Sequence, residues 1–256
     1  MKGLTTHIIG DIESLCEEDR QLLVEFEKEI YVPSFPDDNE RESIFEDILP
    51  RVFVNDGIVR SYLVLSLDKN GHVVAGEIFD WYPSTADLMI IYLAVKRDER
   101  RKNVGSMMIK GGTADLIALI EQRYNKRVRM VYFETENPSK VQPSGSFVIP
   151  LEDRIAFFKA NDARVLLHDY FQPPLSEGKD WAWNLMLCVL PVFRRGEEGK
   201  MDFTPLTLPS TAEAMEFLTA FYCSLDGSDL TNTGRTHLKQ MERALSSAPA
   251  GPGRPM

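Results

Sequence analysis

An apolar segment that runs into a cluster of cations, and then into a glycine-led helix, sets the tightest limit on what this chain can become. The segment is Asp87 to Val95, almost wholly apolar after its first residue. The charged run Lys96 to Lys102 follows, and from Gly105 to about Tyr124 the apolar residues recur at helical spacing. A membrane helix needs about 20 apolar residues, so this segment is strand-sized and reads as a buried strand. A strand that feeds a helix start gathers unpaired backbone N–H groups, the positive end of a dipole and fixed cations in one place. That combination suits an anion such as a pyrophosphate. Backbone that wraps a phosphate needs small residues or residues that tolerate positive φ. Gly105 supplies the first kind and Asn103 the second.

The segment closes a meander. Ile58 to Leu67 is rich in Val, Leu and Tyr, and Asn70-Gly71 marks a hairpin turn into a return strand, His72 to Trp81. Upstream, Thr5 to Gly10 reads as a short strand. Cys16 to Ile30 reads as a helix capped by Ser14 with Glu17 at the capping-box position. Pro33 and Pro36 interrupt it, and Asp38 to Leu49 resumes as a helix that Pro50 ends. Downstream, strands are expected at Val128 to Glu134, Arg164 to Phe171 and Asn184 to Phe193. Helices are expected at Leu151 to Lys159, Thr211 to Cys223 and His237 to Leu245. The order is that of a mixed α/β protein in which a meander precedes a strand–loop–helix unit. Residues 1–196 are expected to form one domain and 197–245 a helical extension. The Ala/Pro/Gly-rich stretch 246–256 is expected to be a disordered tail. No internal repeat is present.

Charge and cysteine usage narrow the partners. A formal net charge of -10 opposes binding to a polyanionic nucleic acid and is compatible with a cationic substrate such as an amine. No apolar run is long enough for a membrane span. Met1 to Gly10 lacks the apolar block of a secretory signal. Cys16, Cys188 and Cys223 lie far apart, and they share no metal-ligand spacing with His7, His72, His168 and His237. A reduced, cytoplasmic setting without a metal cofactor is expected. Nothing in the pattern sets an oligomeric state.

The strand and the sequence Arg100-Arg101-Lys102-Asn103-Val104-Gly105 together resemble the signature of the GNAT superfamily of acyl-CoA N-acyltransferases. In that family an apolar strand and a short spacer precede Gln/Arg-x-x-Gly-x-Gly/Ala at the start of a helix. Asn103 stands where the family usually has Gly. The resemblance extends from Thr5 to Phe193. It implies a central, mostly antiparallel, splayed sheet flanked by helices. It also implies an acyl-CoA co-substrate, most simply acetyl-CoA. Leu93, Ala94 and Val95 would meet its pantetheine arm, and Arg100, Arg101, Lys102, Asn103, Val104, Gly105 and Ser106 its phosphates. The backbone N–H of Val95 would hold the developing oxyanion.

The same resemblance marks departures. Arg154 to Leu166 looks like the family's late helix and following strand, but Phe158 occupies the position of a Tyr thought to protonate the CoA thiolate. Asp162 replaces a turn Gly, and Asn137 is the nearest match to an Asn that contacts the cofactor arm. Tyr170-Phe171-Gln172-Pro173-Pro174-Leu175 resembles a Tyr-x-Gln-Pro-x-Leu stretch of some bacterial GNAT-like proteins and is expected to border the acceptor site.

Transfer to an amine needs a base within hydrogen-bond reach, directly or through water. Some family members place a Glu where this chain has Met89. Asp87 lies two residues earlier, on the same face of the strand. Glu134 and Glu77 lie on the other strands expected to flank the transfer point, and Tyr170 and Tyr132 are candidate acids. The implied activity is transfer of an acyl group to a small amine-bearing acceptor. The alternative is a catalytically impaired module of the same fold that binds acyl-CoA or acts as an interaction domain.

Overall fold

The structure, a computed structural model, describes residues 3–10, 15–37, 41–53, 59–140, 148–175, 179–196, 201–203, 205–226, 230–247 and 254–255. The chain forms two compact units that interleave along the sequence. The first comprises Met1–Trp81, Met89–Val128 and Phe193–Phe203, and the second Tyr82–Leu88, Arg129–Val192 and Thr204–Met256. The class is the expected one, mixed α/β with mostly antiparallel strands and flanking helices.

The first unit opens with β1 (Thr5–Ile9) and α1 (Glu17–Phe26). Cys16 caps α1, its Sγ accepting from the Asp19 N–H at 3.4 Å, whereas Ser14 lies outside the described residues. Glu17, Glu18 and Asp19 in the first turn favour the positive end of the helix. A π-type turn, Glu27–Tyr31, leads into α2 (Val32–Ser34). A second π-type turn, Ile44–Ile48, capped by Ser43, continues into α3 (Leu49–Phe53). Pro50 therefore does not stop the helix. It lies inside one helical stretch, just after the π-type turn gives way to α3.

The meander follows as β2 (Arg60–Leu67), β3 (Val73–Tyr82) and β4 (Asp87–Val95), in the order β1-β2-β3-β4. Ile9 pairs with Leu63, and Leu65 with Gly76. The hairpin turn lies where Asn70-Gly71 places it. Gly71 has φ +85, and the Asp68 carboxylate accepts from the N–H groups of Asn70 and His72 at 2.8 and 3.0 Å. Gly76 lets α1 approach the sheet, since a Cβ there would meet the Phe26 ring at 2.5 Å. Leu23, Phe26, Ile30, Tyr31, Ile48, Leu63, Ile78 and Tyr92 belong to the core so formed. After β4, α4 (Val104–Met107), a π-type turn (Met108–Gly112) and α5 (Thr113–Tyr124) run on as one helical stretch.

The second unit contains β5 (Met130–Glu136), α6 (Leu151–Ala160), β6 (Arg164–Leu167) and β7 (Leu185–Leu190), with strand order β5-β7-β6. Val131 pairs with Leu190, and Val165 with Cys188, all antiparallel. The strand expected to reach Phe171 ends at Leu167, and Gln172 returns only as an isolated bridge to Ala182. The strand expected to reach Phe193 ends at Leu190, because Pro191 cannot donate to a ladder. The chain then forms a separate hairpin in the first unit, β8 (Phe193–Arg195) with β9 (Met201–Phe203).

Helices α7 (Thr211–Asp226) and α8 (Asn232–Ser247) pack within the second unit. Phe217 of α7 stacks on Tyr132 of β5 at 3.8 Å with an interplanar angle of 1°. Of the expected tail, 248–253 and 256 lie outside the described residues, while Arg254–Pro255 pairs antiparallel with β6.

Candidate functional site

The loop expected to meet a cofactor lies in the first unit. β4 ends at Val95, and the Lys96 N–H donates to the Val74 carbonyl at 2.9 Å, which fixes where the strand stops. Arg97–Glu99 makes a single 3-10 turn, and the chain then takes positive φ at Arg101 (63) and at Asn103 (63) before entering α4. Asn103 adopts the left-handed conformation a Gly would supply, so its side chain is compatible with the turn. Arg101, Lys102 and Asn103 are exposed, and Val104 is buried beneath them. N–H groups in the first turn of a helix have no intrahelical acceptor, and this one is led in by cations.

The cations of the loop differ in what they do. Arg100 is half-buried. Its Nε donates to the Val95 carbonyl at 3.0 Å, and a terminal nitrogen donates to Ser34 Oγ at 3.2 Å. It ties the loop to the end of β4. Lys96 pairs with Glu29 at 2.5 Å and Lys102 with Glu99 at 3.0 Å. Along β4 the side chains of Tyr92 and Ala94 are buried while Leu93 and Val95 are half-exposed, which is the alternation of a strand with one open face.

The three carboxylates expected to include a base fall into three different environments. Asp87 is fully buried and held by Arg129, with 2.8 Å from one terminal nitrogen and 3.3 Å from Nε. Burial pushes its carboxyl up, and the Arg129 guanidinium draws it back down. Arg129 also pairs with Glu216 at 2.9 Å. Glu77 is fully buried, and among the described residues neither of its oxygens has a hydrogen-bond partner. It pairs across the ladder with Val64, and a Cβ on Gly112 would lie 3.3 Å from its Oε2. Burial alone drives its carboxyl far above the usual carboxylate range.

Glu134 differs from both. Its Oε2 accepts from Gln172 Nε2 at 2.6 Å, while Oε1 is shielded from solvent and unpartnered. Burial raises the carboxyl, and the neighbouring Tyr170 and Gln172 lower it, to a net value of about 7. The Tyr170 hydroxyl is also buried without a geometric hydrogen bond, although it is an electrostatic neighbour of Glu134. The two are therefore neighbours that act on each other's proton affinity. Tyr132 is buried against Phe217, its hydroxyl likewise unpartnered. The structure thus brings Glu134 and Tyr170 together and places Asp87 and Glu77 in separate surroundings.

The departures from the family pattern have local explanations. Phe158 stacks on Phe133 at 4.2 Å and meets Phe157 at 5.2 Å, as a packing aromatic. Asp162 has φ 62, so it fills the left-handed turn in place of Gly. The Asn137 amide donates to the His168 carbonyl at 2.8 Å, and its oxygen accepts from Ser139, so it fixes the chain after β5. Met89 is buried. Sequence reasoning did not single out Gln172 or Arg129. The Tyr-x-Gln-Pro-x-Leu likeness was the available signal for Gln172, and Arg129 had none.

Among the described residues no group of three or more His, Cys, Asp or Glu side chains is placed to hold a metal ion. No described helix is long and apolar enough to cross a membrane. No protein-family model matches the chain, and no curated protein does. Solved structures do. A protein described as a GNAT-family acetyltransferase from Bacteroides thetaiotaomicron is similar at 19% identity over 73% of this chain and 86% of that one, with a TM-score of 0.47. Tetrahymena GCN5 is similar at 14% identity, covering 73% and 96%, with a TM-score of 0.45. The ribosomal-protein-S18-alanine N-acetyltransferase of Escherichia coli shares 15% identity over 76% and 98%, with a TM-score of 0.40. At identities and scores this low the likeness assigns neither an activity nor a substrate.

Proposed function

We propose that the protein is an acyl-CoA-dependent N-acyltransferase, most simply an acetyltransferase acting on a small amine. The reading rests above all on the loop after β4, where Arg101 and Asn103 both take positive φ immediately before a helix start. Exposed Arg101 and Lys102 offer charge to the phosphates of CoA, and the helix start offers N–H groups. Arg100 acts through the shape of the loop. Leu93, Ala94 and Val95 supply strand backbone to the pantetheine arm.

Glu134 is the proton acceptor. As the amine nitrogen forms its bond to the thioester carbonyl carbon, the nitrogen's proton passes to Glu134 Oε1, directly or through water. The carbon–sulfur bond then breaks, and the departing thiolate takes a proton from Tyr170 or from solvent. A carboxyl near 7 is suited to this, because a base works best when its pKa lies close to the operating pH. A second reading, an acyl-CoA-binding module without transfer activity, is favoured by Phe158 in place of the family's Tyr.

Charge reversal tests the loop. Arg101→Glu or Lys102→Glu is expected to weaken CoA binding about tenfold or more and to leave pantetheine binding unchanged, because a charge-assisted contact contributes about 1.5–3 kcal/mol. Thermal-shift titration measures both, since a ligand of the native state raises Tm. Equal losses for the two ligands would count against the loop. Thiol release with a panel of amines decides between the readings: CoA binding without release from any of them supports the impaired module.

A further inference from the structure

Gln172 is anchored independently of the carboxylate it touches. Its N–H donates to the Ala182 carbonyl at 2.8 Å, and its own carbonyl accepts from the Ala182 N–H at 3.1 Å. The neighbouring Phe171 is held by the C-terminal helices. Tyr222 of α7 donates its hydroxyl to the Phe171 carbonyl, and His237 of α8 stacks on the Phe171 ring at 4.5 Å and 9°. Trp181 closes the other side of His237 at 4.5 Å, edge to face. From this fixed backbone the Gln172 amide reaches Glu134, 38 residues away in sequence, at 2.6 Å.

The amide bonds one carboxylate oxygen only. Among the described residues Glu134 Oε1 and the Tyr170 hydroxyl make no hydrogen bond of normal geometry, although Tyr170 lies close enough to favour the ionised carboxylate. The titratable groups facing Glu134 are Tyr170 from the Gln172 segment and Cys188 from β7. Tyr222 of α7 and Tyr82 of β3 lie behind Tyr170. All four are groups that are neutral at pH 7 in their ordinary state, and burial pushes Tyr170 and Cys188 further toward neutrality. Tyr170 and, after it, the Gln172 donor are the groups that favour an ionised Glu134, and of the two only Gln172 holds it by a hydrogen bond of normal geometry.

We propose that Gln172 is a positioning residue for acyl transfer, holding Glu134 by one oxygen and leaving the other to take the proton of the acceptor amine. The proposal rests on reading Glu134 as the proton acceptor. A donor to the carboxylate favours its charged form, so removing the donor makes Glu134 keep its proton to higher pH. The segment Tyr170 to Gln172 and helices α7 and α8 then belong to the catalytic apparatus through the backbone they hold.

The test uses Gln172→Leu in the full chain, with Gln172→Met as a second variant of similar length should the first not fold. The acidic limb of the kcat–pH profile is expected to move up by roughly one to two pH units, the size of a hydrogen bond to a charged group. KM for acyl-CoA stays unchanged. The Glu134 carboxyl, followed by carbon NMR and assigned by its loss in Glu134→Gln, should titrate higher by the same amount. A lower kcat with an unmoved limb and an unmoved Glu134 titration would overturn the proposal and leave Gln172 a structural residue. A wild type that transfers to no amine sinks the acyltransferase reading instead, while the NMR titration still decides whether Gln172 controls Glu134.

Discussion

Glu77 and Glu134 are the same side chain in two kinds of burial. Glu77 stands on β3 in the first unit, between Val64 and Gly112, with no hydrogen-bond partner for either oxygen among the described residues. Glu134 stands on β5 in the second unit, with Gln172 on one oxygen and Tyr170 beside the carboxylate. Desolvation acts on both in the same direction. In Glu77 it acts unopposed, and the carboxyl is driven far above the usual carboxylate range. In Glu134 the Gln172 donor and Tyr170 oppose it, and the result is a carboxyl near 7. Burial unopposed only raises a carboxyl, and burial opposed by polar neighbours leaves a group that can exchange a proton at neutral pH.

The comparison breaks first on turnover. Glu134→Gln is expected to lower kcat by about 10²–10⁴-fold with acyl-CoA affinity unchanged, and Glu77→Gln to leave kcat within about twofold. Thiol release and calorimetric titration read the two quantities. If the ranking were reversed, Glu77 would be the base and Glu134 a structural acid.

Asp87 sharpens the contrast as a third case, a buried carboxylate neutralised by an ion pair. Asp87→Ala removes the principal acceptor of Arg129, which keeps Glu216. The expected loss is about 1.5–3 kcal/mol of stability, toward the lower end because the Arg129 side chain is 32% exposed, with turnover retained. Urea denaturation measures it. Lost turnover at full stability would place Asp87 in the chemistry.

The last effect concerns Glu77 and pH. Its carboxyl is raised in the folded state, so between an ordinary carboxylate value and the folded one the native state holds a proton that the unfolded chain has released. Stability is fully present at low pH and falls as pH rises through that window, by up to about 1.4 kcal/mol per pH unit. Glu77→Gln should flatten this slope in chemical denaturation followed from pH 5 to 8. An unchanged slope would mean that Glu77 is ionised in the native protein.

Local chemistry made much of the scaffold legible. Asp87–Val95 is a strand at the expected bounds, Asn70-Gly71 is the hairpin turn, and Asn103 takes the left-handed conformation assigned to it. These depend on residues within one turn or one strand of each other. The departures lie where a distant partner or a single backbone group overrides the pattern. Cys16 caps α1, Pro50 is carried inside a helical stretch instead of ending one, and Pro191 cuts a strand so that Phe193–Arg195 pairs elsewhere.

Periodicity, turn residues and the basic run together determined the meander, the loop and the helix it opens, because these are set by steric preference and short-range hydrogen bonding. Which carboxyl is available to take a proton was decided only by tertiary structure. Asp87, Glu77 and Glu134 carry the same functional group on strands of similar pattern. What separates them is the group each meets: Arg129 for Asp87, apolar packing for Glu77, and Gln172 with Tyr170 for Glu134. For Asp87 and Glu134 those partners lie 42 and 38 residues away along the chain. The energy of an ionised group follows its surroundings in space, and the fold alone assembles those surroundings.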